Sequence, residues 1–135
     1  MRALAAVAIL AALVSAACGS GTSGTTTTPT NPVTTDSFTG TLTRNGAGTF
    51  TFITARSGSV TATLVSLGPD SGLTVGLSLG TWNGNACQTV LAKDNAVQSS
   101  SIVGSASAAG SLCVRVYDVG NVTDPVAYQI DVAHP

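Results

Sequence analysis

The chain has 135 residues and a formal net charge of −1, with five Lys or Arg, six Asp, no Glu and one His. Charged residues make up only 8% of it, too few for a coiled coil or a charge-driven disordered tail, and there is no basic surplus to bind nucleic acid. Twenty Thr, 15 Ser and 15 Gly favour strands and turns over helices.

The first element is an export signal. Arg2 precedes twelve apolar residues, 3–14, a run too short to span a bilayer of about 30 Å as a helix but the right length for a signal-peptide core. Small residues follow, then Cys18 and Gly19. The stretch LVSAAC, residues 13–18, resembles the lipobox of bacterial lipoproteins. That resemblance implies that residues 1–17 are removed and that Cys18 is acylated to become the mature N-terminus. Two or more acyl chains are what stable anchoring needs, since one chain holds only marginally. With Gly19 rather than Asp after the cysteine, the outer membrane is the expected location in a two-membrane cell. The plainer alternative is a secretory signal cleaved near Ala17, leaving Cys18 free or paired.

Residues 18–35 come next, where GSGTSGTTTTPTNPVTT contains a single large apolar side chain, Val33. It cannot bury enough surface to offset its ordering entropy and reads as a disordered Thr/Gly/Ser tether. Residues 36–135 form one domain-sized segment. Within it apolar and polar residues alternate with period two, interrupted every eight to twelve residues by turn chemistry. Phe38, Gly40 and Leu42 mark a first strand, closed by Asn45-Gly46. Phe50 and Phe52 mark a second, and Val60, Ala62 and Leu64 a third, ending at Gly68-Pro69-Asp70. Leu73, Val75, Leu77 and Leu79 share one face of a fourth strand, with Gly76, Ser78 and Gly80 on the other.

An Asn83-Gly84-Asn85 turn leads to two weaker strands, over residues 87–92 and 99–104. Leu112, Val114 and Val116 then alternate with Cys113, Arg115 and Tyr117, and Val126, Tyr128, Ile130 and Val132 close the series. About eight short strands without an intervening helical pattern predict an all-β fold, an antiparallel β-sandwich of jelly-roll-like form. Once Cys18 is assigned to lipid, Cys87 and Cys113 remain as an even pair in an oxidising compartment, and a disulfide is expected. Because Cys113 alternates with the apolar Val114, the bridge should lie on an outer face or at an edge.

Residues 38–132 also resemble the bacterial pre-peptidase C-terminal domain family. The likeness rests on GTFTFITA (48–55) with SVTATL (59–64), on DSGLTVGL (70–77) and on AGSLCVRVY (109–117). It implies a non-catalytic jelly-roll-like module, of a kind that in some members binds calcium or a polymeric ligand.

Catalytic equipment is not legible. His134 is the lone imidazole and sits next to the last residue, where fraying is expected. No nucleophile elbow, a Gly-x-Ser-x-Gly set at a sharp strand-to-helix turn, is expected. Asp70, Asp94, Asp118 and Asp124 fall in turns without calcium-loop spacing, and position 72, where the resembling family has a second Asp, is Gly. They read as turn caps, and neither a metal nor a cofactor is expected. Arg115 and Tyr117 share a strand face and can stack there.

Trp82 borders the polar 83–85 turn. A lone tryptophan more often packs over one end of a sandwich core, but at this place it is also a candidate ligand platform with Asn83 and Asn85. The expectation is a non-catalytic cell-envelope lipoprotein whose module binds a polysaccharide or another exported protein. The alternative is a structural component, or an accessory subunit of an exported enzyme, with no ligand of its own.

Overall fold

The computed structural model describes residues 30–135 together with Gly24 and Thr28; the signal segment 1–17, Cys18 and most of the expected tether lie outside the described residues. Eight strands run in chain order: β1 (Thr34–Leu42), β2 (Ala47–Thr54), β3 (Gly58–Gly68), β4 (Val75–Trp82), β5 (Cys87–Ala96), β6 (Ser101–Ala106), β7 (Gly110–Tyr117) and β8 (Val126–His134). They form two antiparallel four-stranded sheets, ordered β1-β8-β3-β6 and β2-β7-β4-β5. β1 pairs with β8, β2 with β7, β3 with β6 and β4 with β5. This nested pairing, one long four-tiered hairpin rolled into two layers, is the jelly-roll form of the predicted β-sandwich. Among the described residues there is no helix.

Period-two alternation builds the core. Leu42, Val60, Ala62, Leu64, Ile130 and Val132 point inward from the first sheet; Phe52, Val75, Leu77, Val114 and Val116 meet them from the second. Phe38 stacks on Phe50 across the layers, with ring centroids 4.9 Å apart, and Tyr128 meets Phe50 edge-on. A register shift between Leu64 and Ser66 reverses the phase of β3, so that Val65 faces solvent while Leu67 returns to the core.

Several boundaries differ from the sequence expectation. β1 starts at Thr34, inside the segment assigned to the tether, because Thr34 and Thr35 pair with His134 and Ala133. β5 runs on to Ala96, while Ser99 belongs to a turn with φ 71° and β6 begins at Ser101. The longer β5 was hidden by irregular pairing with β4, which breaks the alternation on which strand recognition depends.

His134 is the clearest correction. It is not a frayed end: the side chain is 4% exposed, its Nε2 lies 3.0 Å from Asp36 Oδ2, and its ring packs against Phe52. Pro135 accepts a backbone hydrogen bond from Ala55, and Arg56 donates to the carbonyl of Pro32. The two ends of the described domain are thus tied to the β2–β3 turn. Position next to the terminus predicted exposure; pairing across the sheet overrode it.

Candidate functional site

The outer face of the β2-β7-β4-β5 sheet carries the chemistry. On β7, Cys113, Arg115 and Tyr117 point away from the core; on β4, Gly80, Ser78 and Gly76 stand opposite them in register. All three β4 residues are buried although they lie on an outer face, because two straps cross them. One is the disulfide between Cys87 of β5 and Cys113 of β7. The other is the Tyr117 ring, which lies over Gly76 and donates its hydroxyl to Asp94 of β5.

Both straps require glycine beneath them. Strands separated by a third lie roughly 9–10 Å apart, twice the neighbour spacing. The Cα atoms of Cys87 and Cys113 are only 5.8 Å apart. The distance closes because β5 folds over β4: a Cβ on Gly80 would stand 2.1 Å from the carbonyl oxygen of Gln88. The register shift between Leu79 and Gly80, which leaves Val90 without a partner, supplies the extra twist. A Cβ on Gly76 would stand 2.1 Å from the Tyr117 ring. The Gly-x-Ser-x-Gly alternation of β4 therefore serves close approach. It is not a catalytic motif.

Beside the disulfide strap the face dips into a depression of about 540 Å³. Its lining brings together Thr49 and Thr51 of β2, Arg115 of β7, Trp82 at the end of β4, and Asn85, Ala86 and Cys87. Register accounts for the grouping, since Thr49 pairs with Arg115, Thr51 with Cys113 and Trp82 with Cys87. The threonines and Arg115 are exposed, and Trp82 is half-buried. Trp82 thus stands on the outer face, outside the packed core, which corrects the reading of a lid over the sandwich end.

Of the two asparagines expected beside it, only Asn85 lines the depression. Asn83 is spent on the turn: its Oδ1 accepts from the backbone N–H groups of Asn85 and Ala86, while Gly84 takes a φ of 94°. Arg115 and the two threonines were missing from the candidate set. The signal for them was the shared outward face of β7, but which strand lay beside it was not readable before the sheet order was known.

Charge on this face is divided unevenly. The Arg115 guanidinium lies 5.7 Å from the Tyr117 ring centroid. Burial, then the hydrogen bond to Asp94 and its charge, push the Tyr117 hydroxyl up to about 12, so it is a neutral donor at physiological pH. Asp94 is engaged by Tyr117, and no carboxylate lines the depression.

Asp94 lies within β5, not in the turn expected for it, because the strand runs on to Ala96; Asp118 and Asp70 do hold turns. Asp118 Oδ1 accepts from the N–H groups of Gly120, Asn121 and Val122, and its Oδ2 accepts from Asn45. These bonds hold its carboxyl well below the usual range, at about 2. Asp70 caps Gly72 in the same way. Among the described residues no group of three or more His, Cys, Asp or Glu side chains is placed to hold a metal ion.

A second cleft of the same volume opens between the edge strands β5 and β6. Val60, Leu79, Val90, Leu91, Val103 and Leu112 line it, with only Thr81 and Ser105 to offer side-chain hydrogen bonds. It lacks the convergent polar groups that orient a ligand. The Trp82 depression has them. No known protein family matches the chain, and no curated protein does.

Proposed function

We propose that the protein is a non-catalytic, lipid-anchored envelope protein whose β-sandwich binds a polysaccharide or exported-protein ligand on the outer face of the β2-β7-β4-β5 sheet. The lipobox-like residues ending in Cys18 support the anchor, and the non-catalytic role rests on the sequence resemblance of residues 38–132 alone. The observation that carries the binding reading is the depression. One half-buried indole, one guanidinium, two hydroxyls and an amide converge there on a face braced by a disulfide.

The test is retention of the full chain on immobilised envelope polysaccharide and on envelope protein extract, wild type against Trp82→Ala. Loss of the indole should weaken binding at least about tenfold, as for an aromatic anchor worth about 1.4 kcal/mol or more. Equal retention of both forms would remove the Trp82 face from the account and favour a structural role. Mass spectrometry of the mature N-terminus tests the anchor separately: acylated Cys18 is expected, and an unmodified one refutes it.

A further inference from the structure

Resting on that reading, we infer that the ligand of the Trp82 depression is an acidic polysaccharide, a polymer of carboxylate-bearing sugars held with its ring on the indole and its carboxylate on Arg115.

Charge comes first. The described cations are Arg44, Arg56, Lys93 and Arg115, and only Arg115 lines the depression. Among the described residues the sole ion pair joins His134 to Asp36, so no carboxylate of the chain neutralises Arg115. The one carboxylate on this side of the sheet, Asp94, is held by Tyr117. An exposed guanidinium stacked on a ring has its planar fork free to take a carboxylate in two parallel hydrogen bonds.

The form of the surface selects a saccharide over a peptide. Extended peptides are recognised through free backbone groups at a sheet edge. Here the depression lies on the face of the sheet, mainly over β2, β7 and β4. The backbone groups of β7 and β4 are used in ladders, and those that the edge strand β2 leaves free point outward in the plane of the sheet, away from the face. Recognition falls to side chains: the indole of Trp82, the hydroxyls of Thr49 and Thr51, the Asn85 amide and Arg115. Hydroxyls and amides match a ligand that carries hydroxyls along its length, and an indole face matches the apolar face of a sugar ring. The disulfide strap, with Gly80 beside it, fixes the strands that carry these groups, so binding orders side chains rather than backbone.

The experiment measures binding of the full chain, in detergent, to alginate and to the same alginate with its carboxyls reduced to alcohols. The expected result is at least about tenfold tighter binding to the acidic polymer, weakening as salt rises from about 50 to about 500 mM. Arg115→Gln should abolish the preference, Arg115→Lys should keep only part of it, and Trp82→Ala should weaken binding to both polymers. Unchanged melting temperatures establish that these exposed or half-exposed positions leave the fold intact. Equal binding to both polymers, with Arg115→Gln inert, overturns the acidic class but leaves a polysaccharide-binding module standing. Absence of binding to either polymer by the wild type overturns this inference, and the retention test on envelope extract then decides the broader reading alone.

Discussion

On the outer face of the β1-β8-β3-β6 sheet, Ser37 and Gln129 both donate to Asp131, Thr63 meets Ser101, and small hydroxyl side chains cover most of the remainder. These contacts join residues of one strand or of directly neighbouring strands, at exposed or part-buried positions. On the outer face of the β2-β7-β4-β5 sheet, side chains from β7 reach across β4 to β5, and the residues beneath them are buried. Both sheets feed the same core by the same alternation. Their outer faces differ because one is tied only between neighbouring strands, whereas the other is held in shape by ties that cross an intervening strand. A face of fixed shape with an indole and an unneutralised guanidinium is where selective recognition is to be sought.

If that contrast is right, perturbations should cost more on the strapped face. The largest effect should come from Cys87→Ser with Cys113→Ser. Opening a loop with a sequence separation of 26 should cost roughly 3–4 kcal/mol in the chain-entropy description, read as a drop in the denaturation midpoint. Gly80→Val should act in the same direction, since its Cβ meets the Gln88 backbone and the strand above must move. A midpoint unchanged by removal of the disulfide would show the strap to be passive.

Next comes the loop latch at Asp118, which ties the β7–β8 loop to the β1–β2 turn. Its carboxyl is lowered in the folded protein, so its contribution is full above the ordinary value of 3.8 and is lost as pH falls through about 2. Asp118→Asn should therefore flatten the stability profile of the protein in that acid window. An identical profile for both proteins would refute the latch.

The smallest pair tests the comparison most directly. Tyr117→Phe keeps the ring over Gly76 but removes the bond to Asp94, for a loss on the order of 1 kcal/mol. Because the hydroxyl is raised to about 12 in the fold, the wild type should also lose stability as pH rises from its ordinary 10.0 through that value, and the variant should lose less, keeping only the share of Tyr128, which burial also raises. Thr63→Val, which removes an equivalent hydroxyl bond on the other sheet, should stay within about 0.5 kcal/mol. Equal losses in urea titrations of the two variants would erase the difference between the faces.

Much of this molecule is written in local pattern. The period-two alternation of Phe50 and Phe52, or of Leu112, Val114 and Val116, reports which side of a strand is buried without reference to any neighbour. Asn83-Gly84 declares a turn because its backbone needs a cap and a positive φ. Cys87 and Cys113 could be paired by arithmetic once Cys18 is assigned to lipid. The eight strands, the sandwich class and the bridge were therefore legible, and Trp82 and Asn85 were singled out because they border that turn.

What the sequence could not carry was adjacency. Thr49 and Thr51 are ordinary outward residues until β2 is known to lie against β7 and bring them beside Arg115. Gly76 and Gly80 look like weak points in a strand until a ring and a neighbouring backbone are seen to occupy the space their side chains would fill. His134 looks exposed until β8 pairs with β1 and sets it beside Asp36. Alternation and turn chemistry act within a few residues, so the sequence by itself determined strands, faces and turns. Sheet order depends on contacts made across the whole chain, and only the tertiary structure decided which outward faces meet to make a site.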